Sequence, residues 1–473
     1  MVFSSITFLL YFLPSFLALY YIAPVKYRNL VLLLSSIVFY SWGAPRFIFV
    51  ILATTFVDFH LVKKMQNLIG LQKKVLLAVS VGINLSLLVY FKYSNFFIDN
   101  VNVVLEVLGT SSISWAKLAL PIGISFYTFE SITYSVDVYR GIHKPLKKFW
   151  DYQLYIILFP KLIAGPIVRY HDIAGQLSHR FSSENLDNFL SGFYRFCIGL
   201  SKKVLIANVV GLQADIIING NPNSMSSTAG WVGILAYTMQ IYFDFSGYSD
   251  MAIGLCRMVG FKIPENFNSP YTSSSITEFW RKWHISLGRW MRDYLYIPLG
   301  GNRTGSQAKL YRNLWIVFLV SGIWHGASWN FVIWGAYHGV FIILERGILG
   351  KFYTKIGRFP SMVITFMIVM LGWIFFRIES TEKAMSYVGR LFDFSSIEPW
   401  YFDLDFTLIL LVAFFFSFFS FGEIGKKIEK GFFATKSTLF GHTMMTGLCV
   451  VLLLFCVSSI TSSGFNPFIY FRF

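Results

Sequence analysis

Charge is what this sequence has least of. Only 14% of its 473 residues are Asp, Glu, Lys or Arg, against about 25% in soluble globular chains. A chain of this size lacks the polar surface that water would require, which excludes an ordinary soluble enzyme. Acidic residues are the scarcer sign: 24 Asp and Glu stand against 40 Lys and Arg, a net charge of +16. Cysteine is also rare. Cys197, Cys256, Cys449 and Cys456 sit in apolar runs with no CxxC and no metal-ligand spacing, which excludes a disulfide scaffold and gives no metal site. They read as small buried hydrophobes. Walker, GxSxG, HExxH and dinucleotide-binding patterns are absent. So are low-complexity linkers, solenoid repeats and inverted repeats.

What fills the chain instead is apolar: 55% hydrophobic residues, 19% aromatics, 51 Phe, and a mean hydropathy of +0.58. Lipid is the solvent such a composition fits. A membrane span needs about 20 apolar residues. Candidate runs recur from Val2–Ala23 and Val75–Phe91 through Trp115–Val136, Tyr152–Val168 and Phe189–Val210 to Thr443–Ser459. Several are short or interrupted. The expectation is an all-α polytopic membrane protein, a single integral-membrane domain over 1–473, with roughly eleven transmembrane helices plus re-entrant or interfacial ones. Met1–Ala23 has no basic leader region and no small-residue cleavage site, so it reads as a retained first span.

The excess cations cluster at Lys26/Arg28, Lys63/Lys64 with Lys73/Lys74, Arg140 to Lys148, and Lys426 to Lys436. Basic loops stay cytoplasmic, which puts the N-terminus outside. The last span then crosses once, so the tail Ser462–Phe473 is extracytoplasmic too. The charge is thus read as topological, with membrane lipid and not nucleic acid as the partner. A cationic cytoplasmic mouth also attracts an anionic donor such as a nucleotide-bearing thioester.

The stretch from about 242 to 339 differs. Its apolar runs are short, Gly and Pro are frequent, and it holds most ionisable residues outside the loops. Irregular backbone at membrane depth requires burial in protein or a water-filled cavity. Ser275-Ile276-Thr277-Glu278 fits a capping box and predicts a helix over Phe279–Leu299. On its wheel Trp280, Trp283, His284, Leu287, Met291 and Tyr294 share one face, with Arg281, Lys282, Arg289 and Arg292 opposite, as at a membrane interface. His284 falls on the aromatic side, as either a core imidazole or a functional one. His325, in Ser321-Gly322-Ile323-Trp324-His325-Gly326-Ala327, must be paired or wetted when buried, and its side chain suits proton transfer near neutral pH. His338 is a weaker candidate. Asp244 and Asp250 lie in Tyr242-Phe243-Asp244-Phe245-Ser246-Gly247-Tyr248-Ser249-Asp250, as orienting partners, a proton relay or a cation site. Asn266, Asn268 and Asn302 add polar groups nearby.

That run, with Glu265-Asn266-Phe267, Phe279-Trp280-Arg281-Lys282-Trp283-His284-Ile285-Ser286-Leu287, Arg292-Asp293-Tyr294-Leu295-Tyr296, Gly300-Gly301-Asn302-Arg303 and Trp324-His325-Gly326, resembles the membrane-bound O-acyltransferase family. The likeness covers nearly the whole chain, including Met1-Val2-Phe3-Ser4-Ser5 and Pro121-Ile122-Gly123-Ile124-Ser125-Phe126-Tyr127. It implies a central tunnel through a thinned region of a bacterial inner membrane, with His325 as the essential histidine and His284 at the family's second position. It implies O-acetylation of an extracytoplasmic polysaccharide, alginate first, with teichoic acid, peptidoglycan or cellulose as alternatives. No cofactor is bound; the acyl donor, acetyl-CoA or an acyl carrier protein thioester, is a substrate. A secreted SGNH-type partner completes the modification. Candidates for binding substrate or donor are Asp244, Asp250, Asn266, Arg281, Lys282, Arg289 and Trp324. By family analogy Tyr470, in the terminal Phe468-Ile469-Tyr470-Phe471-Arg472-Phe473, is an acyl acceptor or else an interfacial anchor. The out-of-class alternative is a transporter or channel, which interrupted helices and buried carboxylates also fit.

Overall fold

A computed structural model describes residues 1–303, 305–432, 438–463 and 467–469. Tyr470 and most of the tail lie outside the described residues. All regular elements among the described residues are helical. They group into two compact units, one of Met1–Asn185 with Cys256–Ile263, the other of Leu186–Leu255 with Pro264–Phe473.

The first unit holds α1 (Leu13–Ile22), α2 (Arg28–Gly43), α3 (Ile48–Met65), α4 (Gly70–Val107), α5 (Ile124–Tyr139) and α6 (Phe149–Ile157). Two runs read as spans are not continuous helices. Residues 110–121 carry no helix, and α5 begins only after Gly123, which adopts φ 77°. A Cβ there would stand 2.7 Å from the Leu162 carbonyl oxygen, so backbone approach and left-handed geometry both demand glycine. The run Tyr152–Val168 breaks after α6, and the chain beyond it, one helical turn over Phe159–Leu162 and then irregular, is buried. Its freed backbone groups are met by side chains. Ser36 Oγ accepts from Phe159 N at 3.1 Å, Glu130 Oε1 from Val168 N at 3.2 Å, and Thr133 Oγ1 from Tyr170 N at 3.0 Å. Tyr155 donates to the Val168 carbonyl at 2.8 Å. Hydropathy sees the apolar residues of this segment but not these partners.

The second unit holds α7 (Leu186–Asn219), α8 (Ser227–Met258), α9 (Ile276–Lys282), α10 (Ile285–Trp290), α11 (Gln307–His325), α12 (Trp329–Ile356), α13 (Arg358–Arg377), α14 (Leu404–Phe421) and α15 (Leu439–Ser462). Among the described residues, α4, α7, α12, α13, α14 and α15 are the six helices long and apolar enough to cross a membrane. α8 is buried on nearly every side through Asp250, so the two carboxylates of the central run lie on a helix enclosed by protein.

α7 and α8 approach antiparallel through glycine. A Cβ at Gly199 would stand 2.5 Å from the Gly247 carbonyl oxygen, and one at Gly254 2.5 Å from that of Gly192. Such small-residue contacts let helix backbones touch, the main source of association where lipid supplies no hydrophobic drive. Over-packing a tight site costs roughly 1–3 kcal/mol, occasionally more. Gly199→Leu and Gly254→Leu are therefore expected to lower the thermal unfolding midpoint in detergent or abolish accumulation in the membrane. Gly389→Ala, at a site with open space around it, should leave the midpoint unchanged or slightly raised. Equal tolerance at all three sites would show that the crossing is not tight.

Candidate functional site

The helix expected over Phe279–Leu299 is broken near its start, at Trp283–His284. Ser275 caps α9, its Oγ accepting from Glu278 N at 3.1 Å, while the Glu278 carboxylate accepts from Ser274 N at 2.8 Å, one residue beyond the N-cap amide of the capping-box pattern. Trp283 is then extended, and His284 adopts φ 45° and ψ 52° before α10 and a π-helical turn, Met291–Tyr296. The continuous wheel therefore holds only piecewise. The reason is tertiary: the loop at Asn266 bonds to the opened backbone, with Ile285 N donating to the Asn266 carbonyl at 2.9 Å and Asn268 N to the Lys282 carbonyl at 3.0 Å. His284 and Ser269 are the two non-glycine residues with positive φ among those described. A left-handed non-glycine residue costs about 1–3 kcal/mol and persists where its surroundings over-determine it, often at functional sites.

The surroundings of His284 fix its chemistry as well. Asn266 Oδ1 accepts from Ser286 N at 3.3 Å and Ser286 Oγ at 2.8 Å, while its Nδ2 donates to Ser249 Oγ at 3.0 Å. An acceptor oxygen therefore faces His284 Nδ1 at 3.1 Å, and Nδ1 carries the proton. Nε2 is left with its lone pair, buried and without a hydrogen-bond partner among the described residues. Such a nitrogen takes a proton or an N–H or O–H donor. It does not hold a carbonyl oxygen.

Two cavities meet at the break. One, of about 590 Å³, reaches His284 between apolar walls such as Trp280, Leu287, Phe318 and Ile342. Arg281, Arg289, Arg292 and Arg346 also line it, and no Asp or Glu does among the described residues. An apolar slot with guanidinium groups at hand suits an extended ligand bearing phosphates or another anionic head. The other, of about 780 Å³, is lined by Asp250, Asn266, Lys282 and both signs of charge, and it shares Ile285 and Arg289 with the first. Its charges largely neutralise one another. Asp250 accepts from Arg195 at 2.8 Å and Lys202 at 2.7 Å, Arg195 also bonds Glu265 at 2.6 Å, and Lys282 pairs with Glu278 at 2.8 Å.

His325 is the last residue of α11 and only 5% exposed. Its ring packs against Trp324, Trp334 and Phe376 with centroids 4.9, 5.0 and 5.2 Å away. The Trp324 indole lies 6.1 Å from the His284 ring, so the two histidines flank one tryptophan. His284 lines the 590 Å³ cavity, and His325 lines neither of the two. His338, on α12, packs in the same aromatic cluster, 5.0 Å from Trp280 and 5.1 Å from Trp334. Asp244 is elsewhere: it pairs with Lys203 at 2.5 Å and lines neither cavity. Sequence reasoning missed Arg195, Lys202 and Lys203 as the partners of the two aspartates. The signal was there, since lysines inside an apolar run call for carboxylates.

The membrane-bound O-acyltransferase (MBOAT) family profile matches residues 142–388, a stretch that holds both histidines, the helix break and most of each cavity wall. The chain belongs to this family. It is 45% identical over 398 residues to the "Probable alginate O-acetylase" of Azotobacter vinelandii, across 83% of this chain and 78% of the relative. It is 40% identical over 494 residues to the Pseudomonas putida protein of the same description, with both chains covered in full. It is 36% identical over 419 residues to the "Peptidoglycan O-acetyltransferase" of Helicobacter pylori, across 81% of this chain and 78% of the relative. This MBOAT is thus a multi-pass membrane O-acyltransferase, and an acyl donor is among its substrates.

Burial pushes the His284 imidazole from 6.5 down to about 3. The folded chain keeps it neutral at pH values where the unfolded chain protonates it. Stability from this group is present above about pH 6.5 and is lost as pH falls, by up to about 1.4 kcal/mol per unit. Denaturation of the parent and of His284→Asn between pH 7.5 and 5 tests this. The parent's stability should fall more steeply than the variant's, and parallel profiles would contradict it.

Proposed function

We propose that this MBOAT carries an acetyl group from a cytoplasmic thioester to a hydroxyl acceptor, on the way to O-acetylating an extracytoplasmic polysaccharide of the alginate type. The observation that carries the reading is a buried imidazole, His284, with Nδ1 held by Asn266, beside a cavity lined by arginines. The family's essential histidine lies one indole away. Similarity to the alginate O-acetylases supports alginate, and the peptidoglycan relative marks the nearest alternative polymer.

In this reading the basic loops are cytoplasmic, roughly eleven spans cross an inner membrane around a tunnel, and both termini lie outside. The His284 cavity takes the donor, its arginines meeting the phosphates and its apolar walls the pantetheine arm. His284 Nε2 receives an N–H or O–H of the bound substrate and sets its position. His325 removes the acceptor hydroxyl proton as the oxygen attacks the thioester carbonyl. The C–S bond breaks, and the imidazolium returns that proton to the thiolate. Tyr470 is the proposed first acceptor, from which a secreted SGNH-type partner collects the group for the polymer. General-base catalysis of this kind supplies about 10²–10⁴-fold, and positioning and dryness supply the rest.

The test is acetyl transfer to polymer in cells, with membrane levels measured in parallel. His325→Ala should abolish acetylation at normal protein level; retained acetylation would remove His325 from the mechanism. In membrane vesicles, Arg281→Gln with Arg346→Gln should raise the donor KM several-fold with little change in kcat, as expected when charges bind donor and transition state alike. An unchanged KM would place the donor elsewhere.

A further inference from the structure

Asp244 and Lys203 do more than neutralise each other. Both are buried, on α8 and α7, and both spend bonding capacity on the chain's own C-terminal segment. Asp244 Oδ2 accepts from Ile469 N at 2.7 Å, and Lys203 Nζ donates to the Pro467 carbonyl at 3.1 Å. Between these contacts, the Phe468 ring lies 4.7 Å beneath the Lys203 ammonium and 4.7 Å edge-on from Tyr248. Phe468 and Ile469 are both buried, and Ile469 joins the unit's main apolar core.

The polarity of the pair matches the segment's backbone: the carboxylate meets an N–H, and the ammonium meets a C=O. Lys203 also sits in the π-helical turn Lys202–Ala207, inside an otherwise α-helical α7. Such turns re-aim a side chain and occur often at functional sites. Two buried charges from neighbouring helices thus form a receptor for three residues of tail.

We propose that Lys203 and Asp244 are positioning residues that clamp residues 467–469 inside the protein, and that acyl transfer requires this seating. The second half rests on the proposed function; the clamp itself does not. A simple buried ion pair makes a different prediction from a clamp, and exchanging the charges separates the two. Lys203→Asp with Asp244→Lys restores an ion pair. It leaves a carboxylate where the Pro467 carbonyl needs a donor and an ammonium where Ile469 N needs an acceptor.

The experiment is hydrogen exchange of the C-terminal peptide in the full-length protein in nanodiscs, alongside acetyl transfer. In the parent the Ile469 amide should be protected. In the exchanged pair it should exchange at least about tenfold faster, with transfer falling by a similar factor or more. Should the exchanged pair fail to accumulate, Lys203→Met with Asp244→Asn serves. It leaves no buried charge unpaired, keeps an acceptor for Ile469 N and removes the donor to Pro467, so a smaller loss of protection is expected. Parental protection in these variants, or no protection in the parent, would overturn the clamp. Lost protection with transfer intact would overturn only its role in catalysis. Lost transfer in His325→Ala with protection retained would separate a failed clamp from failed chemistry.

Discussion

A polar group out of reach of water costs free energy unless the protein supplies its partner, and this constraint shapes the irregular backbone and the buried charges of the structure. With so few charged residues, little is left over for decoration. The irregular chain after α6 is held by Ser36, Glu130, Thr133 and Tyr155. The opened backbone at His284 is held by the loop at Asn266. The aspartates of α8 are matched by cations from α7. Unsatisfied, each of these groups would cost about 1–3 kcal/mol, and more for a charge. Irregular backbone inside a membrane protein therefore appears where side chains have been supplied to receive it.

The site grows out of that rule. An unbroken helix across 276–299 would have satisfied its own backbone and needed nothing from Asn266. Breaking it frees carbonyl and amide groups, among them those of Lys282 and Ile285, that the Asn266–Asn268 loop meets, and Asn266 then sets the tautomer of His284. One residue thus fixes the backbone and the proton of its neighbour. The left-handed conformation of His284 is the cost of that arrangement, and an imidazole that accepts at the wall of a cavity is what it yields.

Much of this was readable in advance. Low charge and long apolar runs pointed to a multi-pass membrane protein, the family resemblance of the central motifs taken together implied an acyltransferase, and the central region was expected to enclose a cavity. What periodicity misread was the break at His284, because a wheel counts side chains and cannot see a loop from residue 266 waiting to bond the backbone. The spans at Trp115–Val136 and Tyr152–Val168 were overread for the same reason. Asp244 and Asp250 were read as orienting partners for the cations of the 279–299 helix or for a histidine, whereas they pair with Arg195, Lys202 and Lys203 on α7. Pairing depends on which faces of α7 and α8 meet, and it is the glycine contacts between those helices that fix them.

The two aspartates then show how one buried helix serves two ends. Asp250 has both oxygens engaged by side-chain cations, Oδ1 by Arg195 and Oδ2 by Lys202, so its capacity is taken up within the walls of a cavity. Asp244 gives one oxygen to Lys203 and the other to a backbone amide from residue 469. A charge that meets a side chain on a neighbouring helix is fixed once the helices have packed. A charge that meets the backbone of a terminal segment stays satisfied only while that segment is in place, and losing it exposes a buried carboxylate oxygen to a desolvation penalty. The same lone pair that holds the tail therefore makes leaving costly, and a carboxylate enclosed in protein is a stronger anchor than one at the surface, where water would take the segment's place.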